Sequence, residues 1–188
     1  MFTIRDARLA DAGRIREIYD PYVRTTAITF EYVTPSVEEF EGRMERTMQR
    51  YPYLVAEEDG QVVGYAYANP FGTRAAYGWT CEVSIYLDQQ VHGYGLGRAL
   101  YAALEDALLR MGVVNVYACV AYPPVPDEHL TTNSADFHEH LGFVVAGHLN
   151  QCGFKFGRWY DMLYMEKVLA EHRPDQPPVA TYRLLGGC

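Results

Sequence analysis

Three glycines at alternate positions, Gly93, Gly95 and Gly97, separate an apolar stretch, Val83–Leu87, from a leucine-spaced segment that starts at once. A strand passing through such a turn into a helix leaves backbone N–H groups free to face a phosphate, and the helix N-terminus adds partial positive charge. Without β-carbons, a pyrophosphate can approach the main chain closely. The spacing excludes two other phosphate loops. A dinucleotide fingerprint begun at Gly93 or Gly95 needs glycine where Arg98 or Leu100 stands, and a Walker A loop needs Gly-Lys-Ser/Thr, which is absent. The same glycines would also serve as a plain connection to an amphipathic helix, and Arg98 either assists a phosphate or is a solvated helix residue. Just upstream, Glu82 is a lone carboxylate in an otherwise apolar strand. Such a group is either a proton acceptor, since apolar surroundings favour its protonated form, or an edge glutamate that faces solvent or pairs with an arginine.

Composition narrows the class of protein. The 188 residues suit one domain, and 49% hydrophobic with 21% charged residues argues against disorder. A net charge of −8 repels a phosphate backbone, so no nucleic-acid partner is expected. No apolar run approaches 18 residues, and Met1–Asp6 lacks the basic and apolar regions of a signal peptide, so no membrane association is expected. Cys81, Cys119, Cys152 and Cys188 are scattered, with no Cys-x-x-Cys pair. That spacing points to free thiols in a reducing cytoplasm and to no metal site.

The elements that must position these residues follow from periodicity. Met1–Ala7 reads as a strand, then Asp11 caps a helix to about Tyr22 with Ile15, Ile18, Tyr19 and Tyr22 on one face. Thr25–Pro35 lacks a period and reads as a loop. Ser36-Val37-Glu38-Glu39 matches a capping box for a helix ending near Tyr51-Pro52. Tyr53–Glu57 and Val62–Ala68 form a hairpin around Asp59-Gly60. A strand at Trp79–Leu87 leads into the glycine turn. A helix over Gly95–Arg110 follows, with Leu96, Leu100, Leu104 and Leu108 four apart and Gly112 to end it. Val113–Ala121 reads as a strand buried on both faces, and Ser134–Leu141 as a short helix capped by Asn133 or Ser134. Strands near Phe143–Cys152 and Trp159–Val168 complete a domain over 1–169, and 170–188, with Pro174, Pro177 and Pro178, reads as a tail.

Several ordered motifs accompany the glycine turn: Arg74-x-x-Tyr77-x-Trp79-Thr80-x-Glu82, His138-Glu139-x-Leu141-Gly142-Phe143, and Gly153-Phe154-Lys155-Phe156-Gly157-Arg158-Trp159-Tyr160-Asp161. With them the chain resembles the GNAT acetyltransferase superfamily over about Phe2–Leu169, and more specifically its phosphinothricin and methionine-sulfoximine branch. Gly95 and Gly97 match that superfamily's acetyl-CoA pyrophosphate loop, while His92 stands where Gln or Arg is usual. The resemblance implies an α/β GNAT fold, a mixed twisted sheet flanked by helices on both faces. It also implies acetyl-CoA as cosubstrate, direct attack by a small amino-acid-like amine in a ternary complex, and a homodimer to which Gly153–Asp161 contributes.

The resemblance further implies a set of site residues. Glu82 takes the place of the base. His138 stands where many relatives carry tyrosine and is either base or acid, against the alternative of a hydrogen-bonded surface imidazole. His140 faces away. Ile85, Tyr86 and Leu87 supply main-chain contacts to pantetheine, and His92, Gly93, Tyr94, Gly95, Leu96, Gly97 and Arg98 hold the diphosphate. The family's usual pantetheine asparagine falls at Thr131; Asn133 is the nearest substitute, with Ser134 at the expected serine spacing. The proline-bearing stretch 122–132 is longer than usual. Arg74, whose guanidinium suits a carboxylate or phosphinate, and Tyr77 would capture the substrate, with Phe30 and Tyr32 walling the pocket. The alternative is that Arg74 is a surface charge of a loop and the aromatics belong to the core. Rival readings are transfer to a polyamine, aminoglycoside or protein N-terminus, and a non-catalytic acyl-CoA-binding module.

Overall fold

The strand and helix signals resolve into seven strands and four α-helices in a computed structural model that describes residues 1–91 and 95–185. In chain order these are β1 (Phe2–Asp6), α1 (Ala12–Thr25), α2 (Val37–Met48), β2 (Tyr53–Glu58), β3 (Gln61–Pro70), β4 (Thr80–Leu87), α3 (Leu96–Met111), β5 (Asn115–Tyr122), α4 (Asn133–His140), β6 (Val144–Lys155) and β7 (Arg158–Val168). One sheet carries all strands in the order β1-β2-β3-β4-β5-β7-β6. Every pairing is antiparallel except β4 with β5.

That parallel pairing is short, and its brevity makes the site. β4 pairs β5 only through Thr80↔Asn115, Cys81↔Val116 and Glu82↔Tyr117, although the two strands run on to Leu87 and Tyr122. Beyond Glu82 they separate, and β4 keeps its other neighbour to Leu87↔Gly64. Main-chain groups of β4 on the β5 side are therefore released to whatever enters the gap.

Each face of the sheet buries a different core. On one face, Leu96, Leu100, Leu104 and Leu108 of α3 are all buried against Ala66, Ala68, Cys81 and Val83, as their four-residue spacing requires. On the other, α1 and α2 bury Ile15, Ile18, Tyr19, Phe40 and Met44 against Tyr53, Val55 and Tyr65. The β2–β3 hairpin turns through Asp59 (φ 51°) and Gly60 (φ 79°), the paired positive φ of a tight turn, and Gly112 (φ 94°) closes α3.

Local corrections have local causes. A one-turn 3₁₀ helix, Leu9–Asp11, precedes α1, so Asp11 does not cap α1 with its side chain. Its carboxylate instead accepts from the Arg8 N–H at 2.8 Å and pairs with Arg5 at 2.8 Å. Ser36 Oγ does cap α2, accepting from the Glu39 N–H at 3.2 Å. Glu39 turns to Arg43 at 2.6 Å and leaves the reciprocal half of the box unmade. The N-cap of α4 is Thr132, not Asn133 or Ser134, and its hydroxyl donates to Asp136 at 2.9 Å. Segment 170–185 lies against the body: the Trp79 indole donates to the Pro177 carbonyl at 2.6 Å, and the Tyr182 N–H to the Arg50 carbonyl at 2.9 Å.

Candidate active site

The gap between β4 and β5 opens into a cleft of ≈ 320 Å³. Ile85, Tyr86 and Leu87 of β4, Cys119 and Ala121 of β5, Tyr101 of α3 and Asn133, Ser134 and His138 of α4 line it. A second hollow of ≈ 620 Å³ shares Leu87, Asn133 and Phe137 with the first and is bounded by Gly95, Leu96, Gly97 and Arg98. Together the two make a channel from the start of α3 into the sheet. Of the residues expected to hold acetyl-CoA, all but three meet there; His92, Gly93 and Tyr94 lie outside the described residues. Thr131 is not among the lining residues of either hollow, whereas Asn133 is in both.

The glycines fit a pantetheine diphosphate on steric grounds. Gly95 has φ 67°, a left-handed conformation that side chains resist, and it is the N-cap of α3. At Gly97 a β-carbon would stand 3.0 Å from the Phe137 ring, so glycine lets α3 and α4 approach at the channel mouth. An N-terminus of 16 residues of helix with no acidic residue in its first turn favours an anion there.

His138 is buried (4% exposed) rather than a surface imidazole. Its Nδ1 lies 2.7 Å from the Ser134 carbonyl oxygen, which only accepts, so Nδ1 carries the proton. Nε2 lies 2.9 Å from the Tyr101 hydroxyl and in the neutral ring accepts from it. Burial pushes the His138 pKa below its ordinary value, with the Ser134 carbonyl opposing. The imidazole therefore meets neutral pH uncharged, with its lone pair on Nε2. Tyr101 is the partner that sequence reasoning missed; its only signal is a phenol beside the leucine stripe of α3.

Glu82 ends the paired part of β4 and faces the α1/α2 side of the sheet. Its Oε2 accepts from the Cys119 thiol at 3.5 Å. Burial, and then the charge of Glu82, push that thiol up to about 12, so it stays protonated. Glu82 itself is not among the lining residues of the cleft, but Cys119 is. The sequence offered Cys119 only as a scattered thiol; that β5 would set it beside Glu82 depends on the register.

The expected substrate residues divide. The Phe30 ring presses on Gly153, where a β-carbon would fall 2.3 Å from Phe30 Cε2, and packs with Ala27, Ala121, Leu130 and Tyr160. Tyr32 is exposed, and its hydroxyl donates to the Phe154 carbonyl. Lys155, only 2% exposed, fixes this loop by donating to the Thr26 and Thr29 carbonyls at 2.8 and 2.7 Å. Asp127 anchors the long 122–132 stretch by accepting from the His129 and Leu130 N–H groups at 2.7 and 2.9 Å. The His129 carbonyl in turn receives the Ala27 N–H at 3.0 Å. By contrast, Arg74 and Tyr77 are exposed around a one-turn 3₁₀ helix, and neither lines the cleft. Tyr77 meets Phe71 edge-on, and Phe71 lies against Tyr117.

Comparison with known proteins yields consistent matches. A family model described as an acetyltransferase (GNAT) domain matches residues 4–164. A phosphinothricin N-acetyltransferase of Streptomyces viridochromogenes is 33% identical over 174 residues, covering 93% of this chain and 91% of that one. An L-methionine sulfoximine/L-methionine sulfone acetyltransferase of Salmonella typhimurium is 36% identical, covering 90% and 96%. The crystal structure of a phosphinothricin acetyltransferase from Sinorhizobium meliloti in complex with acetyl-CoA superposes with a TM-score of 0.83 at 34% identity, covering 97% and 98%.

Proposed function

This chain belongs to the GNAT acetyltransferase family, and on that premise we propose that it acetylates the primary amine of a small amino acid of the phosphinothricin or methionine-sulfone type. Acetyl-CoA supplies the acetyl group. The observation that carries the reading is the early end of β4–β5 pairing at Glu82, which opens a cleft lined by a neutral imidazole, His138, and by Cys119, whose thiol bonds the Glu82 carboxylate.

The chemistry requires two protons to leave the nitrogen: one from the ammonium before attack on the thioester, one as the amide forms. One of them goes to the departing sulfur. Glu82 is the acceptor on the amine side, with the Cys119 thiol holding its carboxylate in place. His138 reaches neutral pH with its Nδ1–H spent on a carbonyl and its Nε2 lone pair on the Tyr101 hydroxyl, so it enters the reaction as an acceptor, directly or through that phenol, rather than as an acid. Ile85, Tyr86 and Leu87 lie beyond the β5 pairing and lend main chain on that side to the pantetheine arm, with the Leu87 carbonyl held by the Tyr22 hydroxyl, and place an N–H near the thioester oxygen, the kind of preorganised donor that stabilises developing charge. Phe30 walls the acceptor side, and Arg74 with Tyr77, exposed outside the cleft, are the groups suited to receive its anionic end.

Release of free thiol with L-methionine sulfone, phosphinothricin and spermidine in parallel tests the acceptor class. Turnover confined to the two amino acids is expected; preference for spermidine would overturn the assignment. Glu82→Gln and His138→Ala should each retain acetyl-CoA binding while turnover drops roughly 10²-fold or more. Wild-type rates in both would remove these roles.

We place the enzyme in the cytoplasm, as the described cysteines, Cys81, Cys119 and Cys152, are free thiols that suit a reducing compartment, and expect no nucleic-acid partner. Among the described residues no helix is long and apolar enough to cross a membrane. A homodimer through the β6–β7 hairpin would cover Val144, Val145, Leu149, Phe154 and Trp159, which are exposed (Trp159 at 55%).

A further inference from the structure

In a chain of net charge −8, three guanidiniums gather around a hollow that the transfer chemistry does not use. It holds ≈ 470 Å³ between the C-terminal part of α2 and strands β2 and β3. Arg43, Arg46 and Arg50 line it, and no aspartate or glutamate does. Arg43 is already paired with Glu31 at 2.7 Å and with Glu39 at 2.6 Å. Arg46 and Arg50, both exposed, meet no carboxylate among the described residues. Arg50 is nonetheless fixed in place. Its carbonyl accepts from the Tyr182 N–H at 2.9 Å, and its guanidinium stands 5.4 Å from the centre of the Tyr51 ring.

The strands beneath carry a second signal. Tyr53 and Tyr65, only 5% and 1% exposed, both line the hollow, and neither hydroxyl has a hydrogen-bond partner among the described residues. A buried phenol normally finds one. Neither oxygen is sealed in the packing, because Glu31 Oε2 is the one described side-chain oxygen that is both sealed and unpartnered. The two phenols are therefore open to the hollow, stacked at 13° with ring centres 5.9 Å apart. Thr47 and Asn69, which also line it, bond each other at 2.9 Å. No residue of this lining belongs to the transfer cleft or to the channel mouth, although Tyr65 stacks on Tyr86 of the cleft wall.

We infer that this hollow is a second ligand site, built for a small aromatic carboxylate. The carboxylate takes the N–H donors that Arg46 and Arg50 present at the rim. The ring lies against the Phe40 and tyrosine side chains, and a polar group at its far end meets the unpartnered hydroxyls of Tyr53 and Tyr65. The volume and the mixture of apolar walls with a few convergent polar groups suit a ligand of that size. A bare inorganic anion would leave the two phenols unpartnered. Neither acetyl-CoA nor an amine is needed for this ligand to bind.

Calorimetry with 4-hydroxybenzoate tests the site, beside benzoate, which lacks the far hydroxyl, and inorganic phosphate, which lacks the ring. Saturable binding of 4-hydroxybenzoate is expected with a Kd of about 1 mM or tighter, a range open to ligands of about ten non-hydrogen atoms. Saturating CoA should leave that Kd unchanged. Arg46→Gln combined with Arg50→Gln, at exposed positions outside the core, should raise it about 10-fold or more, as losing charged hydrogen bonds does. Tyr53→Phe combined with Tyr65→Phe keeps the rings; it should weaken 4-hydroxybenzoate about 5-fold and leave benzoate as it was. Displacement by CoA would put the ligand in the transfer cleft, and an unchanged Kd in either double variant would put it elsewhere on the protein. Phosphate binding as tightly as 4-hydroxybenzoate would reduce the hollow to a bare anion patch. Any of these results, or no saturable binding in wild type, overturns the inference.

Discussion

The two faces of the sheet solve different problems with different side chains. The face under α3 and α4 is mainly aliphatic, built on the leucine stripe, with the buried His138–Tyr101 pair set into it. The face under α1 and α2 is phenolic: Tyr53, Tyr65 and Tyr67 lie nearly parallel, with interplanar angles of 10–13°, and Tyr65 stacks on Tyr86. Burial pushes Tyr53, Tyr65 and Tyr86 well above the ordinary phenol range, so these hydroxyls stay neutral. One face supplies an aliphatic wall beside the cosubstrate channel; the other supplies neutral phenols, with Arg43, Arg46 and Arg50 around the hollow they line.

If that division holds, the largest change in stability should come from the aliphatic face. Leu104→Ala, at a fully buried position, should cost about 2–5 kcal/mol in urea unfolding while leaving the acceptor KM of the folded enzyme near wild type. A smaller stability loss paired with a large acceptor KM shift would erase the distinction. The reverse signature belongs to Gly153→Ala. Its β-carbon meets the Phe30 ring and must displace the acceptor-side loop, so about 1–3 kcal/mol of destabilisation should accompany a raised acceptor KM with acetyl-CoA affinity kept.

A subtler effect is a pH dependence centred on His138. The unfolded imidazole takes a proton near its ordinary value, whereas the folded one, with its pKa depressed by burial, does so only at lower pH. Its contribution is therefore intact above about pH 6.5, the unfolded value, and is lost as pH falls toward the folded one. Urea midpoints at pH 7.5 and 5.5 should fall further in wild type than in His138→Gln. Smallest is Tyr101→Phe, which removes the donor to Nε2 and should cost about 1 kcal/mol, read by the same unfolding. A loss several times larger would make the Tyr101–His138 pair a structural pillar of the α3 face rather than a tuned acceptor.

Much of the fold was legible because its signals are local. The leucine spacing of α3, Gly112, the Asp59-Gly60 turn and the Ser36 cap each act within a few residues, and each appears where the pattern places it. Asp11 and Asn133 misled because a capping residue is chosen by the competing turns around it: a 3₁₀ turn claimed Asp11, and an earlier start to α4 passed the cap to Thr132. The candidate site was legible in its motif residues but not in its partners. Nothing in the spacing of Cys119, Tyr101 or Lys155 announces that they meet Glu82, His138 and the Thr26–Thr29 carbonyls.

By itself, then, the sequence determined the order of elements, the glycine turn and the presence of Glu82 in the strand before it and of His138 on the short helix, because propensity, periodicity and turn chemistry operate over short stretches of chain. The tertiary structure alone decided that β4 and β5 part company at Glu82, that His138 is neutral with Nε2 accepting from Tyr101, and that the Cys119 thiol meets Glu82. Those outcomes depend on register, burial and neighbours from distant segments, and such contacts exist only once the chain has packed.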